Sequence, residues 1–379
     1  MNRSAKVLIV GAGIGGLTLA QALRARGIDY EVFERSTELL PVGAGLLVQP
    51  GAMKALTVLG LGPRVASAGT ELTWGKALTT TGDVLQSSSL AALRDAVHAG
   101  TYGLSRARLH RVLLDGLDAV HLGRALVAYE EDEQGVLAQF VDGSTACGAL
   151  LVGADGLRSQ VRSLLKPDEP LRYAGYTSWR GIAQHDEAAP EKEIAEIWGR
   201  GERFGIVPIG HGETYWFAVA NAPEGARDGD PLAEVERRFA EWSGEIRKLL
   251  AATPRDRVLR ADIHDRKPIS AWSRGRVTLL GDAAHPMTPN RGQGACMAIE
   301  DAVVLARCLH ENDDLATALA AYEAQRLPRT SHMVKSSWQV GRLAQLESPF
   351  LIWLRNLALK STPQSVVRKQ MLANASFEA

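Results

Sequence analysis

Ala5-Lys-Val-Leu-Ile-Val10-Gly11-Ala-Gly13-Ile-Gly-Gly16-Leu17-Thr-Leu-Ala-Gln-Ala-Leu-Arg-Ala-Arg26-Gly27 is the stretch that decides the fold. Ala5 to Val10 is an apolar, β-branched run closed by glycine, the pattern of a parallel strand covered on both faces. Leu17 to Arg26 then repeats apolar residues at helical spacing (Leu17, Ala20, Leu23, Ala25), and Gly27 stops it. Tyr30-Glu-Val-Phe-Glu34 follows as a second strand, so the first domain opens on a βαβ unit. Between the first strand and the helix, Gly11, Gly13 and Gly16 fit G-x-G-x-x-G. Such glycines permit a tight turn and a close backbone approach, and the helix N-terminus offers free N–H groups to a pyrophosphate. Glu34 closes the second strand 18 residues after Gly16, where a carboxylate accepts hydrogen bonds from ribose hydroxyls. A glycine turn that merely packs a helix on a sheet leaves Glu34 unexplained. The unit reads as a dinucleotide site, without saying which dinucleotide.

Further along, Ala149 to Gly153 is another apolar strand running into Ala154-Asp155-Gly156, and Arg276-Val-Thr-Leu-Leu280 is a last strand entering Gly281-Asp282. The segment Gly281-Asp282-Ala-Ala-His285-Pro-Met-Thr-Pro289-Asn-Arg-Gly292-Gln293-Gly294 then opens a long helix. A carboxylate at that strand end can hold a polyol hydroxyl, and the helix start at Gly292 to Ala295 can stabilise negative charge, such as that on a reduced flavin. An ordinary NAD dehydrogenase has no use for this second device so far downstream.

The three motifs in this order resemble those of the class A flavoprotein monooxygenases, the group that includes para-hydroxybenzoate hydroxylase, and the resemblance spans essentially the whole chain. It implies non-covalent FAD as cofactor, NADH or NADPH as a transient co-substrate, and O₂ as oxidant. Hydroxylation would proceed through a flavin C4a-hydroperoxide, with a small planar aromatic or N-heteroaromatic substrate. By the same resemblance Gly11, Gly13, Gly16, Glu34 and Arg35 bind the ADP half of FAD, and Asp155 belongs to a motif shared by FAD and the visiting nicotinamide. Arg106 in Leu104-Ser-Arg106 contacts FAD, Asp282 holds the ribitol, and Pro289, Gly292, Gln293, Gly294 and Ala295 border the flavin ring. Gly43-Ala44-Gly45 matches the run along which the flavin swings. Cys296 departs from the Asn common in the family and is read as structural, and His285 as structural or flavin-adjacent. Trp179-Arg180, Glu196-Ile-Trp198-Gly-Arg-Gly-Glu-Arg203 and Ser337-Trp338 to Pro349 look like the 2-alkyl-4-quinolone monooxygenases, while urate hydroxylase and zeaxanthin epoxidase share parts of the framework. An alkyl quinolone is the leading substrate; a phenolic acid hydroxylase or an epoxidase is the alternative within the family.

Substrate contacts are expected from the aromatic, alternating strands between Tyr173 and Ala220. Arg203, Tyr215 and Trp216 are the candidates, with Trp179 and Trp198 behind them. An arginine there can hold a ring oxygen, so Arg203 and Tyr215 join Pro289 as the expected catalytic positions. The expected fold is α/β: a Rossmann-like FAD-binding domain in three pieces (1–72, 102–170, 275–330), an antiparallel-sheet substrate domain inserted twice (73–101, 171–274), and C-terminal helices (331–379). Residues 231 to 252 look helical, with Leu232, Val235, Phe239 and Trp242 on one stripe, and Asp142-Gly143 marks a hairpin.

Composition excludes several other classes. Lys+Arg and Asp+Glu both number 43 in 379 residues, so nothing favours a nucleic-acid partner. Cys147, Cys296 and Cys308 form no CxxC pair, which argues against a disulfide framework or a zinc site and for a reducing, cytoplasmic setting. No metal is expected. The chain shows no signal peptide and no apolar run of the roughly 20 residues that span a bilayer. Phe350-Leu-Ile-Trp-Leu-Arg-Asn-Leu-Ala-Leu359 is apolar, short and interrupted by Arg355; a packed C-terminal helix is preferred over contact with a membrane surface. A flavin halogenase would need a Trp-x-Trp-x-Ile-Pro that is absent. A non-catalytic dinucleotide-fold protein would not use Asp155 and the full Gly281 to Gly294 run. Monomer and homodimer stay equally open.

Overall fold

The computed structural model describes residues 6–39, 44–167, 169–184 and 192–377. Val7–Val10 is buried throughout and is the central strand of a five-stranded parallel sheet. The order across it is Val277–Leu279, Leu150–Gly153, Val7–Val10, Tyr30–Phe33, Val120–His121. Each fully buried aliphatic side chain in such a strand contributes about 1.5–3 kcal/mol, which is why four consecutive ones fix it in the middle. Helix Ile14–Arg24 makes the first crossover and lies against helix Gly294–Glu311. Gly15 makes that contact possible: a Cβ there would stand 2.6 Å from a Leu280 methyl and 3.3 Å from Ala298 Cβ.

Asp142-Gly143 does turn a hairpin between Val136–Phe140 and Thr145–Gly148, with Gly143 at φ +80° and Ser144 N donating to Asp142 Oδ1 at 3.1 Å. A second, seven-stranded sheet has the order Leu259–Asp265, Arg172–Gln184, Glu213–Asn221, Glu202–Gly210, Glu193–Trp198, Trp74–Thr79, Val84–Ser89. It is antiparallel but for one pair: Glu193–Trp198 runs parallel to Trp74–Thr79. One face is covered by helices Pro231–Arg238 and Gly244–Ala251, which bury Leu232, Val235, Phe239 and Ile246 against Trp179, Phe204 and Trp216. The single helical stretch read over 231–252 is therefore two helices, parted at Phe239 to Ser243, while its stripe is retained. A small antiparallel sheet, Gly45–Val48 with Thr101–Ser105 and Gly69–Leu72, lies between the seven-stranded sheet and the helices of the parallel-sheet unit.

Helices Leu315–Ala344, Pro349–Ser361 and Gln364–Ala375 close the chain. The expected boundary at 330/331 falls inside the 30-residue helix Leu315–Ala344, which runs on unbroken past it. The molecule is thus a Rossmann-like α/β unit with an antiparallel sheet domain and C-terminal helices. Among the described residues no helix is long and apolar enough to cross a membrane, and no His/Cys/Asp/Glu group is placed to hold a metal.

Candidate active site

The glycine turn is glycine for steric reasons. Gly11 sits at φ +108°, and a Cβ on it would meet Ala154 O at 2.5 Å; a Cβ on Gly16 would overlap the carbonyl of Gly11. Around Gly13, by contrast, nothing lies within 4 Å of an added Cβ, so this side of the turn is open. Helix Ile14–Arg24 has no side-chain cap, which leaves the amides of its first turn aimed at that open side. Glu34 ends strand Tyr30–Phe33 and accepts from Ala12 N and Ser36 N, each at 2.9 Å. Two lone pairs per carboxylate oxygen leave further acceptor capacity for a diol. Arg35 is exposed beside it. His110 Nε2 lies 2.8 Å from Ala12 O and braces the turn from behind, a contact that no sequence pattern signalled.

At the end of strand Leu150–Gly153 the carboxylate of Asp155 is already engaged. Ser159 Oγ and the backbone N–H groups of Gln160 (2.6 Å) and Val161 (3.2 Å) donate to it, so it caps helix Gln160–Leu165. The carboxylate expected to serve FAD at Asp155 thus also holds the 153–160 turn against the first glycine. Burial raises its pKa above the usual carboxylate value, opposed by Ser159 and the backbone donors.

Asp282 behaves differently. It is reachable by solvent, yet protein surrounds it closely enough that burial raises its pKa above 3.8, opposed by His285 and Arg106. A group that is both open and deeply set lines the floor of a cleft. Arg106, exposed at the start of helix Arg106–Leu114, and the N-terminus of helix Gly294–Glu311 share that cleft; Asp282 Oδ1 is 3.7 Å from where a Cβ on Gly294 would stand.

Behind the turn is a buried ionic network. Gly281, at φ +61°, donates its N–H to Asp301 Oδ2 at 3.1 Å. His285 Nε2 lies 2.5 Å from the same oxygen, and Arg326 Nε donates to Asp301 Oδ1 at 2.6 Å. Arg326 and Arg329 share Glu300 at 2.9 and 2.7 Å. His285 is thus buried behind the cleft wall. Burial works against the Asp301 carboxylate, but His285 and Arg326 outweigh it and hold its pKa below the ordinary value.

The loop between the last strand and its helix is stitched to strand Gly45–Val48. Gln293 is buried and donates to Gln49 Oε1 at 2.6 Å, and Gln49 Nε2 donates to Arg291 O at 2.9 Å. The Gln293 side chain is accordingly spent on the protein, and only its backbone is left for a ligand. Cys296 is buried beneath, its thiol pushed up to about 12 by burial, which makes it inert and keeps its structural reading. Gly292, at φ +59°, faces Leu47 and Gln49, Ala295 is half-buried, and Pro289 is exposed at the loop's start.

Arg203 requires a correction. Only 2% exposed, it donates from Nη1 to Glu196 at 2.9 Å, from Nη2 to Asn290 Oδ1 at 2.7 Å and from Nε to Gln345 at 2.8 Å. All three nitrogens are committed to protein, so it is not a free cation waiting for a ring oxygen. Asn290 in turn donates to Tyr176 OH at 2.8 Å and Ser337 O at 2.9 Å, tying the loop to the sheet and the long helix. Trp216 is also misassigned by sequence: it is fully buried and donates to Thr253 Oγ1 at 2.8 Å. Strand alternation puts Tyr215 and Phe217 on the opposite face, with Ile182 across from Tyr215 and Arg180 across from Phe217. Trp179 lies buried behind this wall, on the helix-covered face, whereas Trp198 is on the wall's own face, packed with Leu85 and Ala344. Tyr215 packs on Gly45, which begins a paired strand rather than a loose run; a Cβ on Gly45 would overlap the Tyr215 ring. Gly43 lies outside the described residues. Burial raises the Tyr215 phenol pKa, and Arg180 opposes the shift.

Comparison with known proteins places this geometry. A family model described as an FAD binding domain matches residues 4–337. Over its whole length the chain is 44% identical to an aurachin C monooxygenase/isomerase of Stigmatella aurantiaca, covering 99% of that protein. The chain belongs to the FAD-dependent monooxygenases. It is 36% identical to a 2-heptyl-3-hydroxy-4(1H)-quinolone synthase of Pseudomonas aeruginosa, over 96% of each chain. Among solved structures, Klebsiella pneumoniae HpxO complexed with FAD and uric acid superposes with a TM-score of 0.91 at 35% identity, covering 98% of this chain and 96% of that one. FAD is the cofactor of this monooxygenase, and NAD(P)H is its reductant. The residues present fit FAD on their own evidence: a glycine turn open on one side, an uncapped helix start, and a cleft-floor carboxylate facing an exposed arginine.

Proposed function

We propose that this monooxygenase hydroxylates a planar, electron-rich N-heteroaromatic ring, with a 2-alkyl-4-quinolone as substrate. The observation that carries the proposal is the cleft-facing wall of the seven-stranded sheet, where Tyr215 and Phe217 lie 5.9 Å apart beside Ile182 and Arg180. Aromatic and aliphatic side chains on one flat sheet face stack against a bicyclic ring, and a nearby arginine favours its oxyanion form, the more nucleophilic one. The names of two relatives that align along nearly the entire chain, an aurachin C monooxygenase/isomerase and a heptyl-hydroxyquinolone synthase, support the same ring class.

The bound flavin supplies hydride acceptance from NAD(P)H and, with O₂, one oxygen atom for the ring. The protein supplies position and charge. Gly11, Gly13 and Gly16 with the first turn of helix Ile14–Arg24 hold the pyrophosphate, and Glu34, with Arg35 beside it, holds the adenosine ribose. Asp282 accepts from ribityl hydroxyls, while Arg106 balances the charge of the cleft floor. Backbone N–H groups from Gly292 to Ala295, at a helix start, face negative charge on the pyrimidine side. Tyr215 and Pro289 would line the space of the reacting ring. Asp155 and Arg203 act as positioning residues, one for the glycine turn and one for loop 289–291. Three free cysteines, Cys147 exposed, support a reducing cytoplasmic setting.

Incubating enzyme, NADH and 2-heptyl-4-quinolone under ¹⁸O₂ tests the reading. One labelled oxygen in a hydroxyquinolone product is expected. Peroxide release without labelled quinolone, while urate or a simple phenol is hydroxylated efficiently, would transfer the assignment to that ring.

A further inference from the structure

Helix Pro349–Ser361 keeps most of its apolar side chains on its outer face. Its one buried side chain is Arg355, whose Nη1 donates to Ala344 O at 3.2 Å and whose guanidinium lies 5.3 Å over the Trp198 ring. Outward stand Phe350 (66% exposed), Leu351 (43%), Trp353 (60%), Leu354 (47%) and Leu357 (48%). At about 100° per residue these five share one arc of roughly 160°. The Phe350 and Trp353 rings stack on that surface with centroids 6.1 Å apart. Single exposed apolar residues are ordinary, but a contiguous face of two aromatics and three leucines marks an interaction surface. The helix packs on the protein as expected from sequence, through Arg355 and Leu359, and leaves its outer face uncovered.

Charge identifies the partner. The chain as a whole is neutral, yet residues 348–377 carry Arg355, Lys360, Arg368 and Lys369 and no carboxylate side chain. Lys360, Arg368 and Lys369 are exposed. Asp83, 4.0 Å from Lys360, is the one carboxylate paired with this segment among the described residues, and both ends of that pair are open to solvent. A second copy of the chain would bring like charges face to face across a two-fold axis. We propose that this face rests on the surface of an anionic lipid bilayer, with the helix in the plane of the interface, its aromatic and leucine side chains among the acyl chains and its cations at the headgroups. The helix is about 20 Å long, too short to span a hydrocarbon core of about 30 Å, so it lies on the membrane.

Co-sedimentation of the FAD-loaded enzyme with vesicles tests this. The enzyme is expected to sediment with equimolar phosphatidylcholine–phosphatidylglycerol vesicles, less with phosphatidylcholine alone, and less again as salt is raised. Phe350→Ser with Trp353→Ser should keep the yellow flavin and lower vesicle affinity by about tenfold or more. A second variant, Lys360→Gln with Arg368→Gln and Lys369→Gln, should lose only the preference for phosphatidylglycerol. The proposal is overturned if the wild type stays in the supernatant with both vesicles, or if the serine variant sediments equally well. A concentration-dependent dimer on size exclusion that the serine substitutions break, without vesicle binding, would overturn it in favour of a second copy.

Discussion

Asp282 carries opposing demands in one side chain. Its folded pKa lies above the ordinary 3.8, so folding favours the protonated form. The stability it contributes is complete below that ordinary value and is lost as pH rises through the raised one. At neutral pH its charge therefore weakens the cofactor-free protein. Asp282→Asn is expected to raise the melting temperature of the apoprotein at neutral pH, with the gap closing in acid. The same change should weaken FAD binding by about 1.5–3 kcal/mol, the worth of a charge-assisted hydrogen bond, as read by fluorescence titration. A variant that lowers both quantities would place Asp282 in the scaffold instead. Gly45→Ala is expected to lower kcat/KM by about tenfold while FAD affinity holds, because the new Cβ displaces the Tyr215 ring. Combining it with Tyr215→Ala should be far from additive if ring displacement is the cause. At this scale the sequence was most legible where demand is local. Gly11 and Gly16 admit nothing larger, and Glu34 follows by count along one strand. Trp216 was misjudged because alternation tells two faces apart without saying which one is core; helices 231–251 settle that from a distance.

Among the elements, the turn at Gly281 depends on the helix that follows it. Asp301 receives the Gly281 N–H, His285 and Arg326 together, so it sets the path of the chain just before Asp282. Asp301→Ala would leave Arg326 Nε, His285 and the turn amide without their shared acceptor, an expected loss of about 3–5 kcal/mol in urea unfolding. The pH dependence has the opposite sign to that of Asp282. The folded pKa of Asp301 lies below the ordinary one, so its contribution is present above the ordinary 3.8 and is lost as pH falls through the lowered value. The wild type should therefore exceed Asp301→Asn in stability most at neutral pH, the margin shrinking below about pH 4. Equal margins at neutral and acid pH would remove the network from the account. None of this could be read from residue order. Asp301 and Arg326 are 25 positions apart on two helices, and Arg203, Asn290 and Gln345 meet from three elements; no short pattern encodes such pairings. That helix Pro349–Ser361 packs was legible, but not which face it turns outward. Its hydrophobicity was plain in the sequence, but its orientation is set by Trp198 and the Ala344 carbonyl.

For the whole molecule, the broad architecture was legible because three strand-to-glycine transitions, at Gly11, Gly153 and Gly281, announce one parallel sheet. Its strand order has a consequence for how the enzyme is made. Val7–Val10 leaves the ribosome early, but its neighbour Leu150–Gly153 is still uncovered on its far side until Val277–Leu279 is synthesised. The carboxylate at Asp282 and the helix start at Gly294 come later still. Flavin capture is therefore a late event in biogenesis. Ribosome-arrested chains ending before Gly294 are expected to retain no FAD, and chains extended past Ala344 to retain it, with flavin in the washed pellet as the measure. A polypeptide interrupted before Gly294 is thus expected to stay colourless, so bound flavin reports that the last strand of the parallel sheet and the helix after it have been made.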